Sequence, residues 1–134
     1  MTLLFARLLF VALLVLVTWL TVTSHPEEFR AGFDLARWIA EALFGDAAEG
    51  DKVAHFASYL ALGASAALAR FDAGRGAIAV IGLALYGAAL EGAQALGGER
   101  QPDLYDGLAN ALGASAGYFA TVVVMQLARK RLAQ

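Results

Sequence analysis

The sequence predicts an all-α membrane protein: a compact bundle of four transmembrane helices with an amphipathic interfacial helix in the first outer loop. Three observations lead there. The 134 residues are 60% hydrophobic and only 16% charged, and their mean hydropathy of +0.62 lies outside the range of a soluble domain of this size. The apolar residues gather into four runs, Leu3 to Val22, Val53 to Ala69, Ala77 to Leu96 and Leu104 to Ala128. Each is near the roughly 20 residues a helix needs to cross about 30 Å of hydrocarbon. The later runs are also rich in small residues, among them Gly63, Gly82, Gly87, Gly92, Gly113 and Gly117, which let membrane helices pack closely where no hydrophobic drive brings them together. No repeat, low-complexity tract or second domain interrupts residues 1–134, which are read as one domain.

The first run is expected to be a retained helix. A cleaved signal peptide is the alternative, disfavoured because the apolar stretch is long and Val22-Thr23-Ser24 is a poor cleavage signal. In the following loop, Ser24 and Glu27 fit a capping box with Pro26 in the first turn. Arg30, Asp34, Arg37 and Glu41 then recur at helical spacing, with Phe29, Phe33, Ala36, Ala40, Leu43 and Phe44 on the other side and Gly45 as a stop. This pattern suits a helix lying on the outer surface of the bilayer with Trp38 at headgroup level, or one packed on the ends of the spans. The second run is short unless counted from Asp51 to Arg70, which makes it the least secure span. The third and fourth are long enough as they stand. The absence of cysteine excludes disulfides and thiolate metal sites.

Four spans place both termini and the middle loop on one side with Arg7, Arg70, Arg75, Arg129, Lys130 and Arg131. The other side holds Arg30, Arg37, Lys52 and Arg100, diluted over a long loop that carries seven carboxylates between Glu27 and Asp51. The positive-inside rule then predicts a multi-pass inner-membrane protein with both termini cytoplasmic.

Against this apolar background, His55, Glu91, Gln94, Arg100, Asp103 and Asn110 sit at or near the ends of apolar stretches. Such groups are costly at the edge of a hydrocarbon slab and are functional candidates by default. At about 1.5 Å per residue, His55 lies roughly 5 Å and Glu91 roughly 8 Å below the outer margin. Asp103, Asp106 and Asn110 line one face of the fourth run. Three helices and a loop thus bring polar groups to the same outer layer.

The ordered set Asp51-Lys52-x-x-His55-x-x-x-Tyr59, Glu91-x-x-Gln94 and Arg100-x-x-Asp103-x-x-Asp106-x-x-x-Asn110-x-x-Gly113-x-x-x-Gly117 resembles the pattern of the VanZ-like family, with the likeness confined to residues 51 to 117. The resemblance implies a small bacterial membrane protein with about four spans. It also implies a link to glycopeptide resistance, since the founding member is associated with teicoplanin resistance. The family has been grouped with membrane enzymes acting on lipid headgroups.

Asp51, Glu91, Asp103 and Asp106 outnumber Lys52 and Arg100 by two. A half-dry site needs compensation by a protonated carboxyl, a protonated His55 or a bound cation. In an enzyme, His55 is the expected general base or nucleophile and Glu91 its orienting or proton-shuttling partner. Lys52 and Arg100 would grip a phosphate, Asp103 and Asp106 would hold a divalent cation, and Gln94 and Asn110 would bond headgroup oxygens. The expected catalytic set is therefore His55, Glu91 and Asp106. The substrate contacts are Lys52, Gln94, Arg100, Asp103 and Asn110, and the partners are membrane lipids, not nucleic acid.

Structural roles compete with each assignment. His55 can be helix-to-helix glue, Asp51 and Asp103 can be caps and Lys52 a snorkelling anchor, while Tyr59 and Tyr105 read as packing or interfacial groups. Glu91, well inside an apolar run, is the hardest to explain as structural. The other function classes are a lipid- or drug-binding protein without turnover, and a transporter. The transporter is disfavoured because the inner halves of the runs lack matching polar groups.

Overall fold

The computed structural model describes residues 2–23, 30–70, 75–96 and 103–133, which form five α-helices and no strand. Helix α1 (Leu3–Val22) opens with the Thr2 hydroxyl accepting from the Phe5 amide. Helix α2 (Arg30–Phe44) stops at Gly45, whose φ of +73° is the left-handed conformation glycine adopts without strain. A single 3₁₀ turn, Ala47–Glu49, follows, capped by the Asp46 carboxylate at 2.8 Å from the Ala48 amide. Helix α3 (Gly50–Ala69) ends on Arg70, itself left-handed, with its amide on the Ala66 carbonyl at 3.0 Å. Helix α4 spans Gly76–Leu96. Helix α5 (Leu104–Leu132) begins where Asp103 accepts from the Tyr105 amide at 2.8 Å and runs through Arg129, Lys130 and Arg131. The proposed Ser24–Glu27 capping box lies outside the described residues.

Helix α3 is the hub. It packs most extensively on α5 and also touches α1, α2 and α4. The α3–α5 approach is so close that a Cβ on Gly113 or Gly117 would run into the carbonyl oxygens of Phe56 and Leu60. The expectation that small residues set tight helix contacts holds for this seam. It does not hold for Gly82 and Gly92, which face open space. Tyr59, Leu62, Ala66 and Ala67 of α3 meet Val17, Leu83, Ala114 and Tyr118 in the core.

Two long-range hydrogen bonds set the direction of the bundle. The Arg7 guanidinium, near the start of α1, donates to the Ala69 carbonyl at the end of α3 (3.4 Å). At the other extreme, the Gln94 amide near the end of α4 donates to the Thr21 carbonyl at the end of α1. One pole of the bundle therefore gathers the end of α1, the start of α3, the end of α4 and, through the contacts described below, the start of α5.

Three helices, α1, α4 and α5, are long and apolar enough to cross a membrane. Leu4, Leu8 and Val15 of α1, Ile78 and Leu85 of α4, and Leu112 and Val124 of α5 face outward, as lipid contact requires. Helix α3 matches α1 in length at 20 residues. It is less apolar because Asp51, Lys52 and His55 occupy its first turns and small residues its packed face. Helix α2 buries Ala36 and Ala40 and lays Arg37 against Gly50 of α3. Its expected polar stripe is exposed, and so is a second apolar strip alongside it, with Leu35 56% and Trp38 67% exposed.

Candidate functional site

At the pole shared by α3, α4 and α5, three side chains far apart in sequence converge. His55 projects from the second turn of α3, Glu91 from α4 five residues before its end, and Asp106 from the first turn of α5. The His55 Nε2 atom lies 3.7 Å from Glu91 Oε1 and 3.7 Å from Asp106 Oδ2. One donor atom from each residue fits within 4.8 Å of the other two. Both carboxylates are buried, Asp106 completely, while the imidazole keeps a narrow exposed edge. The α3–α5 seam makes this meeting possible, because a wider spacing would move Asp106 away from His55.

Asn110, one turn further along α5 and 1% exposed, lies with its Oδ1 3.0 Å from His55 Nδ1. An amide oxygen only accepts, so Nδ1–H donates to it, and the tautomer leaves Nε2 directed at the carboxylates. Nε2 thus faces two acidic side chains, one from α4 and one from α5. Asn110 holds the imidazole, a contact additional to the headgroup bond expected of it, and it does so from one turn deeper than Asp106 on the same face of α5.

The other expected site residues divide. Lys52 lies at the rim, 3.0 Å from Glu49 and 3.5 Å from Asp103. Beside it an open depression of about 480 Å³ is lined by Phe44, Asp46, Glu49 and Lys52, so a phosphate seated there would compete with carboxylates for the ammonium. Asp103 and Asp106 do not form the expected cation pair. Asp103 is spent on the α5 cap and on Lys52, whereas Asp106 turns inward to His55. Gln94 donates to the Thr21 carbonyl, tying α4 to α1 with its amide nitrogen. Asp51 is exposed in the first turn of α3. Arg100 lies outside the described residues.

Tyr59 packs in the core, as expected, and its hydroxyl is unusual there. It is 1% exposed, and its hydroxyl has no hydrogen-bond partner among the described residues. That hydroxyl points at Gly87, one turn before Glu91 on α4, where a Cβ would lie 2.9 Å from it and 2.8 Å from the Asn110 Nδ2. The signal was present in the sequence as the four-residue step from His55, which puts both side chains on one face of α3. Compared with known proteins, the chain matches no family model, no curated protein and no solved structure.

Proposed function

We propose that the chain is a VanZ-like bacterial inner-membrane protein with both termini cytoplasmic. It acts, by transfer or hydrolysis, on the phosphate headgroup of a phospholipid or polyprenyl-phosphate lipid of the outer leaflet. The observation that carries this reading is the buried meeting of His55, Glu91 and Asp106 from three helices, beside a rim where Lys52 is shared between Glu49 and Asp103. Structural glue needs one partner per polar group. Here an imidazole held by Asn110 presents its other nitrogen to two carboxylates close to the surface, an arrangement suited to proton transfer or to charge stabilisation at a reacting phosphate. A lipid phosphate arrives at this depth without leaving the bilayer, its chains alongside the apolar flanks of the helices and its charge near Lys52. Altered teicoplanin susceptibility is the cellular phenotype that the family resemblance adds.

The same reading takes the chain to cross the membrane four times, and the directions of the helices support this. Hydrogen bonds pair the start of α1 with the end of α3 and the end of α1 with the end of α4, so α3 runs the length of α1 in the opposite sense. If α1 crosses the bilayer, α3 crosses it too, shielded from lipid by its neighbours. The exposed Leu35 and Trp38 then suit α2 to lie at the outer interface.

The test is mass spectrometry of lipids from cells with and without the protein, alongside His55→Ala and Glu91→Gln. Under the enzyme reading the protein changes a headgroup population, and either substitution lowers that change at least 100-fold while lipid affinity stays within a few-fold. Unchanged lipids, or equal loss of affinity and turnover, would replace the enzyme with a lipid- or drug-binding protein.

A further inference from the structure

The spacing at the centre of the cluster is wrong for a simple hydrogen-bonded triad. His55 Nε2 stands 3.7 Å from a carboxylate oxygen on each side, beyond the roughly 2.7–3.2 Å of an N–H···O bond, and equally far from both. Equal separations of this size are those of atoms arranged around a shared centre. Donors about 2.0–2.2 Å from a zinc-like ion lie roughly 3.3–3.6 Å from one another; the two His55 separations come within a few tenths of an ångström of that, and the two carboxylates, within 4.8 Å of each other, would close by up to about 1 Å through side-chain rotation.

Two further observations point the same way. His55 Nδ1–H is donated to the buried Asn110 carbonyl at 3.0 Å, the outer contact that fixes a metal-ligating histidine with its other nitrogen bare. Beneath the cluster, the buried Tyr59 hydroxyl is turned toward Gly87 and has no hydrogen-bond partner among the described residues. A polar group so placed suits a water carried by an ion.

We infer that His55 Nε2, Glu91 and Asp106 form a binding site for one divalent transition-metal ion of the zinc class, with Asn110 as the positioning residue for the imidazole. One imidazole nitrogen and two carboxylates favour zinc or its neighbours over calcium, which takes six to eight oxygens, and over magnesium, which keeps its waters. In this site His55 is a ligand and not the proton acceptor. The inference rests on side-chain geometry and does not depend on the lipid reading.

The test uses the full chain, purified in detergent and stripped of metal, titrated with zinc against a chromophoric chelator and with cobalt(II) as a spectroscopic probe. One zinc per chain is expected, with visible cobalt bands of a four- or five-coordinate site. His55→Ala, Glu91→Gln and Asp106→Asn should each weaken zinc binding at least tenfold, and Asn110→Ala by about 10–100-fold. Glu91→Gln and Asp106→Asn preserve side-chain volume, and circular dichroism checks that each variant keeps its helices. Should a variant unfold, the wild type decides alone: zinc must bind one-to-one and raise its melting temperature. No stoichiometric zinc on the folded wild type, or equal affinity in folded Glu91→Gln and Asp106→Asn, overturns the site. Zinc binding without any lipid change in cells removes the lipid activity and leaves the metal site standing. A lipid change in protein that binds no zinc does the reverse.

Discussion

Asn110 and Tyr59 both reach toward Gly87 of α4, yet removing their polar atoms should have opposite effects. Asn110→Ala strips His55 Nδ1–H of its acceptor inside the bundle, which should cost about 1–3 kcal/mol and lower the midpoint of thermal unfolding in detergent. Tyr59→Phe removes a hydroxyl that bonds nothing among the described residues, so stability should hold or rise by up to about 1 kcal/mol. A clear loss on Tyr59→Phe would mean that the hydroxyl serves the fold. The residue types of the site were legible in the sequence, since His55, Glu91, Asp106 and Asn110 all stood out as polar groups at apolar margins. Their roles were less so. A helix rise places a residue in depth but not in azimuth, so it does not say that the Asn110 oxygen meets the ring, while of the two roles weighed for Asp103 the cap is the one it takes.

The helices differ in how much the sequence could say of them. Helices α1, α4 and α5 announce themselves by unbroken apolar length. Helix α3 does not, because hydropathy measures affinity for lipid, whereas an interior helix meets other helices and can be built of alanine, glycine and serine. Its weakness as an apolar run and its central place share this cause. The same logic separates glycines that look alike in the sequence. Gly117→Ala should push α3 and α5 apart at the Leu60 carbonyl and cost about 1–3 kcal/mol. Gly92→Ala points into open space and should be neutral, or stabilising by up to about 1 kcal/mol through helix propensity. Thermal unfolding of the two variants side by side checks the contrast, and equal effects would deny the seam its special closeness. Helix α2 was read correctly in its charged stripe and in its stop at Gly45. Trp38 is exposed, as a place at headgroup level requires, whereas the exposure of Leu35 beside it was not foreseen, since a sequence pattern does not say which of two apolar faces a neighbour will cover.

For the molecule as a whole, the decisive question is how often the chain crosses. Because the sequence contains no cysteine, single introduced thiols report cleanly on sidedness. Ala48→Cys, in the turn before α3, should react with an impermeant maleimide on intact cells. Arg75→Cys, at the start of α4, should react only after permeabilisation, and a reporter fused after Gln134 should be cytoplasmic. Labelling of both thiols from one side would remove α3 as a span, and an external reporter would turn the cluster away from the outer leaflet.

Away from that pole the described residues pack against one another. Leu62, Ala66, Leu83, Ala114 and Tyr118 fill its interior, and the hydroxyls of Ser65 and Ser115 are turned back onto carbonyls of their own helices. If the proposed reading holds and this pole faces the outer leaflet, a core packed in this way would leave no route for a cytosolic nucleotide to drive the reaction, and exchange of a group between lipids of one leaflet, or its release to water, would be the chemistry open to the protein.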